Sequence, residues 1–508
     1  MGATVTSFYF LLFLLCVLAL YYLMPLKIRW IVFPLSGIVY YLLTGSGLLI
    51  IYPIATSVIA FFGARFIGKT DKSKKAILIV TVLLILSPLI LLKYLNFFIN
   101  TANMFVHDPS GNALIPNLSW AVPLGVSFYT FSALSCVIDV YNGSAAAPDN
   151  FLTFFSYATF FPAILSGPIL RYRFDHDQFK TGYRLNYHDL TFGAQRMLWG
   201  FFKTFVISER AKIVADCVYA IQGATGGIYA VAGIICYAIQ LYTNFSGCMD
   251  IVIGMSQMFG IKLPENFNTP FFARNIQEFW RRWHITLGIW MKEYVFYPVL
   301  RTKIFTSLND RCKKRFGSKK GKQYATIPAL FILWLTVGIW HGGDWKYVIG
   351  SGLLHWFYIV SGQLLTPLTD KILNAVKIKK DAKWLDALRI VRTFILVNIG
   401  FVFFRADSVS SAIDVFRGIF IIHTGSEEFA SSLAGLGMDS IEIAIFLISL
   451  AILTFVSVLQ QKGSVRDMID KKNLPVRWVI WMALLFFTIL AGFYGPGYSA
   501  AEFIYQGF

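Results

Sequence analysis

Apolar runs of bilayer-crossing length recur from one end of this chain to the other. Clear examples are Phe8–Met24, Ala76–Leu92, Gly227–Leu241, Ile441–Leu459 and Trp478–Ala491. A helix needs about 20 mostly apolar residues to cross the hydrocarbon core, where every backbone hydrogen bond must be made internally. Only 14% of the 508 residues are charged, against about 25% in soluble domains. The sequence therefore predicts an all-α polytopic membrane protein.

Basic residues dominate the charge, with 45 Lys and Arg against 27 Asp and Glu and a net charge of +18. They cluster between apolar runs, as in Lys371–Lys383 and Arg466–Arg477, which is typical of cytoplasmic loops. The acidic segment around Glu427, Glu428 and Asp439 is then outside. This alternation predicts an extracytoplasmic N-terminus and C-terminus. No basic soluble domain is apparent, so we expect no nucleic-acid partner.

Two neighbouring apolar segments do not fit a simple alternation of sides. Ordinary spans at both Val122–Val140 and Phe151–Leu170 would place the basic residues after Leu170 outside. A broken or re-entrant segment, favoured by Pro123 and Pro162, removes this conflict, and a kinked ordinary span is the alternative. Broken backbone at membrane depth is tolerated only inside protein or beside water, so we predict a central cavity here.

Two further segments are amphipathic and are predicted to lie along the cytoplasmic interface. They are Tyr187–Asp216 and Phe279–Tyr297, and the dense basic loop Arg301–Lys322 follows the second. We expect about eleven membrane-crossing elements in addition. We find no internal repeat, so the inverted-repeat signature of many transporters is missing.

Three of the seven histidines, His284, His341 and His355, lie in or beside apolar segments. His341 ends the run Ile327–Trp340 and precedes Gly342 and Gly343. A desolvated imidazole has a lowered pKa and stays neutral, so it can take the proton of a hydroxyl that attacks a thioester. The alternative is a satisfied structural imidazole. Either Asp344 or Asn268 is a candidate to orient the His341 ring.

Other catalytic signatures are missing from the sequence. It contains no HExxH and no GxSxG, which argues against a zinc protease and a nucleophile elbow. We predict no metal site.

The run Tyr242–Leu300, which contains FWRRWH, resembles the signature of the membrane-bound O-acyltransferase family. The similarity is greatest to the bacterial branch that contains alginate O-acetylases and the D-alanyl transferases of teichoic acid. Further matching segments cover nearly the whole chain: Val122–Phe131, Ser166–Tyr172, Gly338–Gly342, Phe401–Ser408 and Glu502–Phe508. The chain departs from the family pattern at Asn244, at Lys292-Glu293 and after His355.

This resemblance implies a ring of transmembrane helices around a thin centre, with a funnel from each face. It implies one integral membrane acyltransferase domain, residues 1–508, with N-terminal spans in 1–117, a catalytic core in 118–362, and C-terminal spans and a tail in 363–508. His341 matches the catalytic position and His284 the second functional histidine. The candidate substrate- and donor-binding residues are Arg281, Arg282, Trp283, Trp340, Asn268, Glu278 and Asp344.

The resulting hypothesis is a multi-pass O-acyltransferase of the bacterial plasma membrane. It moves an acyl group, acetyl in our prediction, from a cytoplasmic thioester to a hydroxyl of a cell-surface or secreted polysaccharide or glycolipid, or to an extracytoplasmic partner that completes transfer. The co-substrate is acetyl-CoA or an acyl carrier protein, and no tightly bound cofactor is expected. One alternative is D-alanyl transfer from a carrier protein to teichoic acid; another is a proton-coupled transporter or glycan flippase.

Overall fold

A computed structural model describes residues 6–44, 46–106, 114–164, 167–220, 227–421 and 437–494. Within these ranges the chain is helical, and its one β-type contact is an isolated bridge between Phe267 and Trp283. The predicted all-α class is therefore confirmed. Several predictions lie outside the described residues: those on Ser166, Glu427, Glu428 and the matching segment Glu502–Phe508.

Eight helices are long and apolar enough to cross a membrane, so the chain is a multi-pass membrane protein. They are Gly47–Lys69, Lys74–Asn103, Gly227–Met258, Ser318–Gly342, Trp345–Ala375, Lys383–Arg405, Ser440–Gln460 and Leu474–Ala491. Three shorter apolar helices among the described residues are Phe8–Leu23, Arg29–Leu43 and Val126–Tyr141. The count of about eleven crossings and the sidedness of the termini remain predictions.

The candidate spans differ in how much of their surface the protein covers. Gly227–Met258 is 72% buried over its most apolar window, whereas Leu474–Ala491 is 6% buried. A helix buried on all sides belongs to the protein core, and a bare apolar helix faces lipid. Gly227–Met258 is therefore the internal element among the spans.

The chain forms two compact units, each assembled from separate stretches. The first unit contains Met1–Val206, Thr243–Glu265 and Arg466–Phe508, and the second contains Ile207–Tyr242 and Asn266–Val465. Every candidate site residue belongs to the second unit. The assignment of one domain with three parts remains a prediction.

In the first unit, the predicted broken segment is confirmed. The helix that begins at Phe151 ends at Ala158, after eight residues, and the described backbone from there to Arg171 is non-helical. Ser135 Oγ joins the two helices that flank this stretch, since it lies 2.9 Å from the Tyr157 hydroxyl and accepts from Tyr172 N–H at 3.0 Å. At the end of the stretch, Arg171 N–H donates to Asp175 Oδ2 at 2.7 Å, so a protein group takes the place of water there. The central cavity remains a prediction.

Three cations on the basic face of the segment Tyr187–Asp216, namely Arg196, Lys203 and Arg210, are buried rather than solvated. The segment forms helices Tyr187–Phe201 and Glu209–Ala220, joined by a π-helical stretch Phe202–Ser208. Arg196, Lys203 and Arg210 are 9%, 3% and 2% exposed. An interfacial helix keeps its cations in water, so the interfacial prediction is wrong for this face. Acidic residues on other elements pair with these cations, and no spacing within the segment could show that.

In the second unit, glycines bring the ends of two long helices together. A Cβ added at Gly338 would lie 2.8 Å from the Cα of Val348, and one at Gly350 would lie 2.3 Å from the Cβ of Phe403. Small residues allow helices in membranes to approach this closely. Val348 and Gly350 belong to a π-helical stretch that therefore lies between helices Ser318–Gly342 and Lys383–Arg405. This packing places the ends of those two helices side by side.

Candidate active site

A chain reversal around Asn266 holds the first candidate histidine. Asn268 N–H donates to the Arg282 carbonyl at 2.9 Å, and Ile285 N–H donates to the Asn266 carbonyl at 3.0 Å. The Asn266 side-chain oxygen accepts from the Thr286 N–H at 3.0 Å and from the Thr286 hydroxyl at 2.9 Å. It also lies 3.3 Å from His284 Nδ1. The loop that precedes the FWRRWH motif thus fixes the imidazole in place.

Burial determines the charge of His284, and the contact with Asn266 determines which ring nitrogen carries the proton. The ring is 1% exposed, and burial lowers the pKa of His284 to about 3, so the imidazole is neutral at physiological pH. Because the Asn266 oxygen can only accept, Nδ1 carries the proton and Nε2 is the basic nitrogen. His284 also adopts a left-handed backbone with φ 46°, which is uncommon outside glycine and aims the ring away from the ordinary helical direction.

Glu278 organises the short helix Ile276–Arg282 that leads to this histidine. Its backbone N–H donates to the Asn275 capping oxygen at 2.8 Å, and its carboxylate accepts from Arg274 N–H at 3.0 Å and from Arg282 Nη2 at 2.9 Å. Burial alone would raise the pKa of Glu278, but the hydrogen bonds and charges of Arg274 and Arg282 outweigh it and hold the pKa below its ordinary value. Glu278 and Arg282 therefore bind each other, whereas Arg281 is exposed.

Trp283 is buried in a cluster of aromatic rings. Phe279 stacks on it at 5.4 Å between centroids, and Phe267 and Phe401 contact it at 5.1 Å and 5.2 Å. The ring is 2% exposed. These contacts anchor the FWRRWH segment to helix Lys383–Arg405.

His341 lies at the end of helix Ser318–Gly342, where Gly343 closes the helix in the left-handed conformation. Its ring is 3% exposed and meets the Phe404 ring edge-on at 5.3 Å. The Trp340 ring lies 5.0 Å from the His341 ring and 5.8 Å from the His284 ring. Two histidines that are 57 positions apart in sequence thus contact the same indole.

Neither residue proposed to orient His341 has a described hydrogen bond to it. Asp344 is exposed and caps the next helical turn, accepting from Lys346 N–H at 2.9 Å. Asn268 is exposed and takes part in the chain reversal through its backbone. The described ring contact of His341 that the sequence did not indicate is with Phe404.

His355 supports the site from the far side of helix Ile276–Arg282. Trp280 Nε1 donates to His355 Nδ1 at 3.2 Å, and Trp334 stacks on the His355 ring at 5.6 Å. His355 is 2% exposed. Because Trp280 lies four residues before His284, this hydrogen bond helps to fix the helix that carries the candidate histidine.

No pattern in the sequence indicates that Asn266 contacts a histidine. It lies two positions from Asn268 in the same loop, and only the three-dimensional fold shows which side chain meets the imidazole. Taken together, the described histidine, tryptophan and phenylalanine side chains form a buried cluster of rings, in which the His284 imidazole is neutral. Neutral imidazoles in such surroundings are suited to accept protons rather than to hold charge.

Comparisons with known proteins agree with this picture. The model of the membrane-bound O-acyltransferase family matches residues 143–311. The probable alginate O-acetylase AlgI of Pseudomonas aeruginosa is 30% identical over 87% of this chain and 80% of its own length. The peptidoglycan O-acetyltransferase of Helicobacter pylori is 30% identical over 72% of this chain and 69% of its own.

The teichoic acid D-alanyltransferase of Bacillus subtilis is 30% identical over 55% of this chain and 68% of its own length. The extent of these matches, together with the helical membrane fold, identifies the chain as a member of the membrane-bound O-acyltransferase family and as an O-acyltransferase.

Proposed function

We propose that this enzyme transfers an acetyl group from a cytoplasmic thioester to a hydroxyl of a cell-surface or secreted polysaccharide, or to an extracytoplasmic partner that completes the transfer. The observation that carries the proposal is the contact of His284 and His341 with one indole, in a cluster that is almost fully buried. Two relatives whose names specify O-acetyl transfer support acetyl as the acyl group.

In the proposed reaction His341 is the general base. It takes the proton of the acceptor hydroxyl while that oxygen attacks the thioester carbonyl carbon. The new C–O bond forms, the C–S bond breaks, and the leaving thiolate receives the proton from the imidazolium. General-base assistance of this kind accelerates transfer by roughly 10²–10⁴-fold. The rings of Trp340 and Phe404 exclude water that would otherwise hydrolyse the thioester.

We assign the thioester to the side from which helix Ser318–Gly342 begins. The preceding helix Lys303–Phe316 has a strongly basic last turn, with Lys313, Lys314 and Arg315. Exposed cations suit either the phosphates of coenzyme A or an acidic carrier protein, and they also favour a cytoplasmic location. Arg281 is the exposed cation next to the histidine cluster, so it is our candidate for donor contact.

His284 then has a supporting role in the chemistry. Asn266 holds its Nδ1–H, so Nε2 can accept a hydrogen bond from the substrate. A pKa of about 3 keeps that acceptor neutral throughout the physiological range.

The test uses the purified full-length protein with a radiolabelled acetyl thioester and a polysaccharide acceptor. His341→Ala should lower the transfer rate at least about 100-fold while its elution profile and melting temperature match the wild type. His188→Ala is the matched control, because His188 is an exposed histidine that stacks on Phe192. Wild-type transfer by a folded His341→Ala protein would rule out the proposed base.

D-alanyl transfer is a second candidate, supported by the Bacillus subtilis relative. A competition experiment between acetyl-CoA and a charged carrier protein as donors distinguishes acetyl transfer from D-alanyl transfer. Transfer that requires a charged carrier protein and ignores acetyl-CoA would favour D-alanyl, whereas movement of glycan without any acyl exchange would favour a flippase.

A further inference from the structure

A charged cavity lies beside the histidine cluster, in the second unit. Its volume is about 270 Å³, and it is lined by Asp216, Tyr219, Ala220, Arg405, Ala406, Asp407, Ser411 and Val415. The sequence predicted no role for any of these residues beyond the family match of the segment Phe401–Ser408. We propose that this cavity binds one neutral saccharide unit of the acceptor; the inference rests on the proposed function and specifies its acceptor.

The cavity is connected to His341 through the end of helix Lys383–Arg405. Phe404 contacts His341, and the next residue, Arg405, lines the cavity. Lys346 Nζ donates to the carbonyl of the lining residue Ala406 at 2.7 Å, and Tyr347 packs on Phe404 at 5.1 Å. A ligand held in the cavity is therefore adjacent to the proposed base.

The cavity lies near the ends of two helices whose opposite ends follow basic segments. Helix Lys383–Arg405 begins at the end of the basic segment Lys371–Lys383, and helix Ser318–Gly342 begins after the basic helix Lys303–Phe316. Arg405 and His341 are at the other ends of these helices. If basic segments mark the cytoplasm, the cavity opens toward the extracytoplasmic side, from which a glycan would come.

The charges in the cavity favour a neutral ligand over an anionic one. Arg405 Nη2 donates to Asp216 Oδ1 at 2.7 Å, and Lys212 Nζ donates to Asp216 Oδ2 at 2.6 Å. Arg405 is the cation among the described lining residues, and two carboxylates, Asp216 and Asp407, accompany it. A ligand carboxylate would find Arg405 and Lys212 already paired with Asp216, whereas sugar hydroxyls can accept from guanidinium and donate to carboxylates.

Tyr219 supplies an independent indication of a ligand. It lines the cavity, is 7% exposed, and its hydroxyl has no hydrogen-bond partner among the described residues. Arg405 lies over its ring at 5.5 Å, so the face of the ring is already covered. Buried hydroxyls almost always have a partner, and a ligand hydroxyl would provide one here.

The size of the cavity limits the ligand. Sites for drug-sized molecules have volumes of roughly 300–1,000 Å³, so about 270 Å³ accommodates one sugar ring rather than two. The remainder of a polysaccharide would extend beyond the cavity, with one ring seated and a hydroxyl of it or of its neighbour presented toward His341.

The test measures equilibrium binding of defined tetrasaccharides to the full-length protein in lipid nanodiscs, without thioester. The neutral probes are cellotetraose, maltotetraose and chitotetraose, and the anionic probe is tetragalacturonate. We expect at least one neutral probe to bind about tenfold more tightly than tetragalacturonate, because the cations at the cavity already pair with Asp216 and are not available to a ligand carboxylate.

Two variants and one control locate the binding. Tyr219→Phe keeps the ring under Arg405 and should weaken binding of the neutral probe about fivefold, which corresponds to the loss of one neutral hydrogen bond. Arg405→Gln should weaken it more, by about 50-fold, since a charged donor is lost. Arg417→Gln is the matched control, because Arg417 is exposed and pairs with Asp414 outside the cavity.

Three results would overturn the inference: no neutral probe binds, tetragalacturonate binds more tightly, or folded Tyr219→Phe binds like the wild type. Preferential binding of a neutral Gly-Ser-Tyr tripeptide would assign the cavity to a protein partner and would be a fourth such result. His341→Ala should retain full saccharide binding. Lost binding with intact transfer refutes this site alone, whereas intact binding without any thioester-dependent transfer refutes the proposed function alone.

Discussion

Two buried polar regions of this protein differ in whether their side chains carry charge. In the first unit, Arg196 donates to Asp250 at 2.9 Å and to both oxygens of Glu265, while Lys203 pairs with Asp250 at 2.6 Å. In the second unit, the rings of His284 and His341 both contact the ring of Trp340. The first region consists of ion pairs, and His284 in the second is neutral because burial lowers its pKa to about 3.

This difference separates a region built for structure from one suited to chemistry. A buried charge persists only when an opposite charge and hydrogen bonds compensate its lost hydration, so each group in the first region is committed to a partner. A neutral imidazole needs no such partner and keeps a nitrogen available for proton transfer. Damage to the first region should therefore lower stability, and damage to the second should lower the rate.

The largest effect on stability is expected from Asp250→Asn. The change leaves the Lys203 ammonium, whose side chain is 4% exposed, without its counter-charge. Breaking a buried ion pair on one side costs about 3 to 5 kcal/mol, so the melting temperature in detergent should drop markedly. Asp71→Asn, at an exposed aspartate of the same unit, is the control. Equal melting temperatures for the two variants would show that the ion pairs are dispensable.

The next effect is a pH dependence of stability that originates in His284. Its pKa is about 3 when folded and about 6.5 when unfolded, so the unfolded chain binds the extra proton between these values. Stability is complete above pH 6.5 and decreases as the pH falls, by about 2 kcal/mol from this residue between pH 7 and pH 5. Thermal unfolding at both pH values should show a smaller decrease for His284→Gln than for the wild type. An unchanged decrease would mean that other groups set the slope.

A smaller effect on the rate is expected from Asn266→Ala. Loss of the oxygen that holds Nδ1–H allows His284 to change tautomer and orientation, which we expect to lower the transfer rate about tenfold, from about 1.4 kcal/mol of lost hydrogen bonding. Thr286→Val is the control, because it removes a different hydrogen bond to the same oxygen, at 2.9 Å. If Thr286→Val slows transfer as much as Asn266→Ala does, the effect comes from the loop and not from the imidazole.

The smallest effect is expected from Arg281→Gln, which probes donor contact. Arg281 is exposed, so its removal should weaken an anionic donor only a few-fold, and less at high salt. The readout is the KM for the thioester at low and high ionic strength, with an unchanged kcat. Exposed Lys262→Gln in the first unit is the comparison. Identical, unaltered KM values for both variants would remove Arg281 from the donor site.

The sequence predicted the features that depend on local composition. Apolar runs indicated the membrane helices, and Pro162 indicated the broken segment. Each of these is visible because the hydrocarbon core imposes a simple rule on every residue inside it. The family membership and the enzyme class were predicted from longer motifs and are confirmed by the comparisons.

Features that depend on which elements meet were beyond the sequence. Lys203 and Asp250 pair across 47 positions, and Phe404 reaches His341 across 63. Composition cannot distinguish a buried, paired cation from one on a solvated helix face, which is why the basic face of Tyr187–Asp216 was misassigned. The same is true of Asn266, whose partner is set by a chain reversal and not by a spacing.

The most direct test compares His341→Ala with Asp250→Asn in single-turnover transfer, normalised to the amount of folded protein, alongside thermal unfolding of both. We predict that His341→Ala keeps the wild-type melting temperature and loses at least about 100-fold in rate, while Asp250→Asn melts earlier and transfers normally when folded. A folded His341→Ala protein with the wild-type rate, or a rate loss in His341→Ala that only tracks its loss of folded protein, would contradict a chemical role for this imidazole.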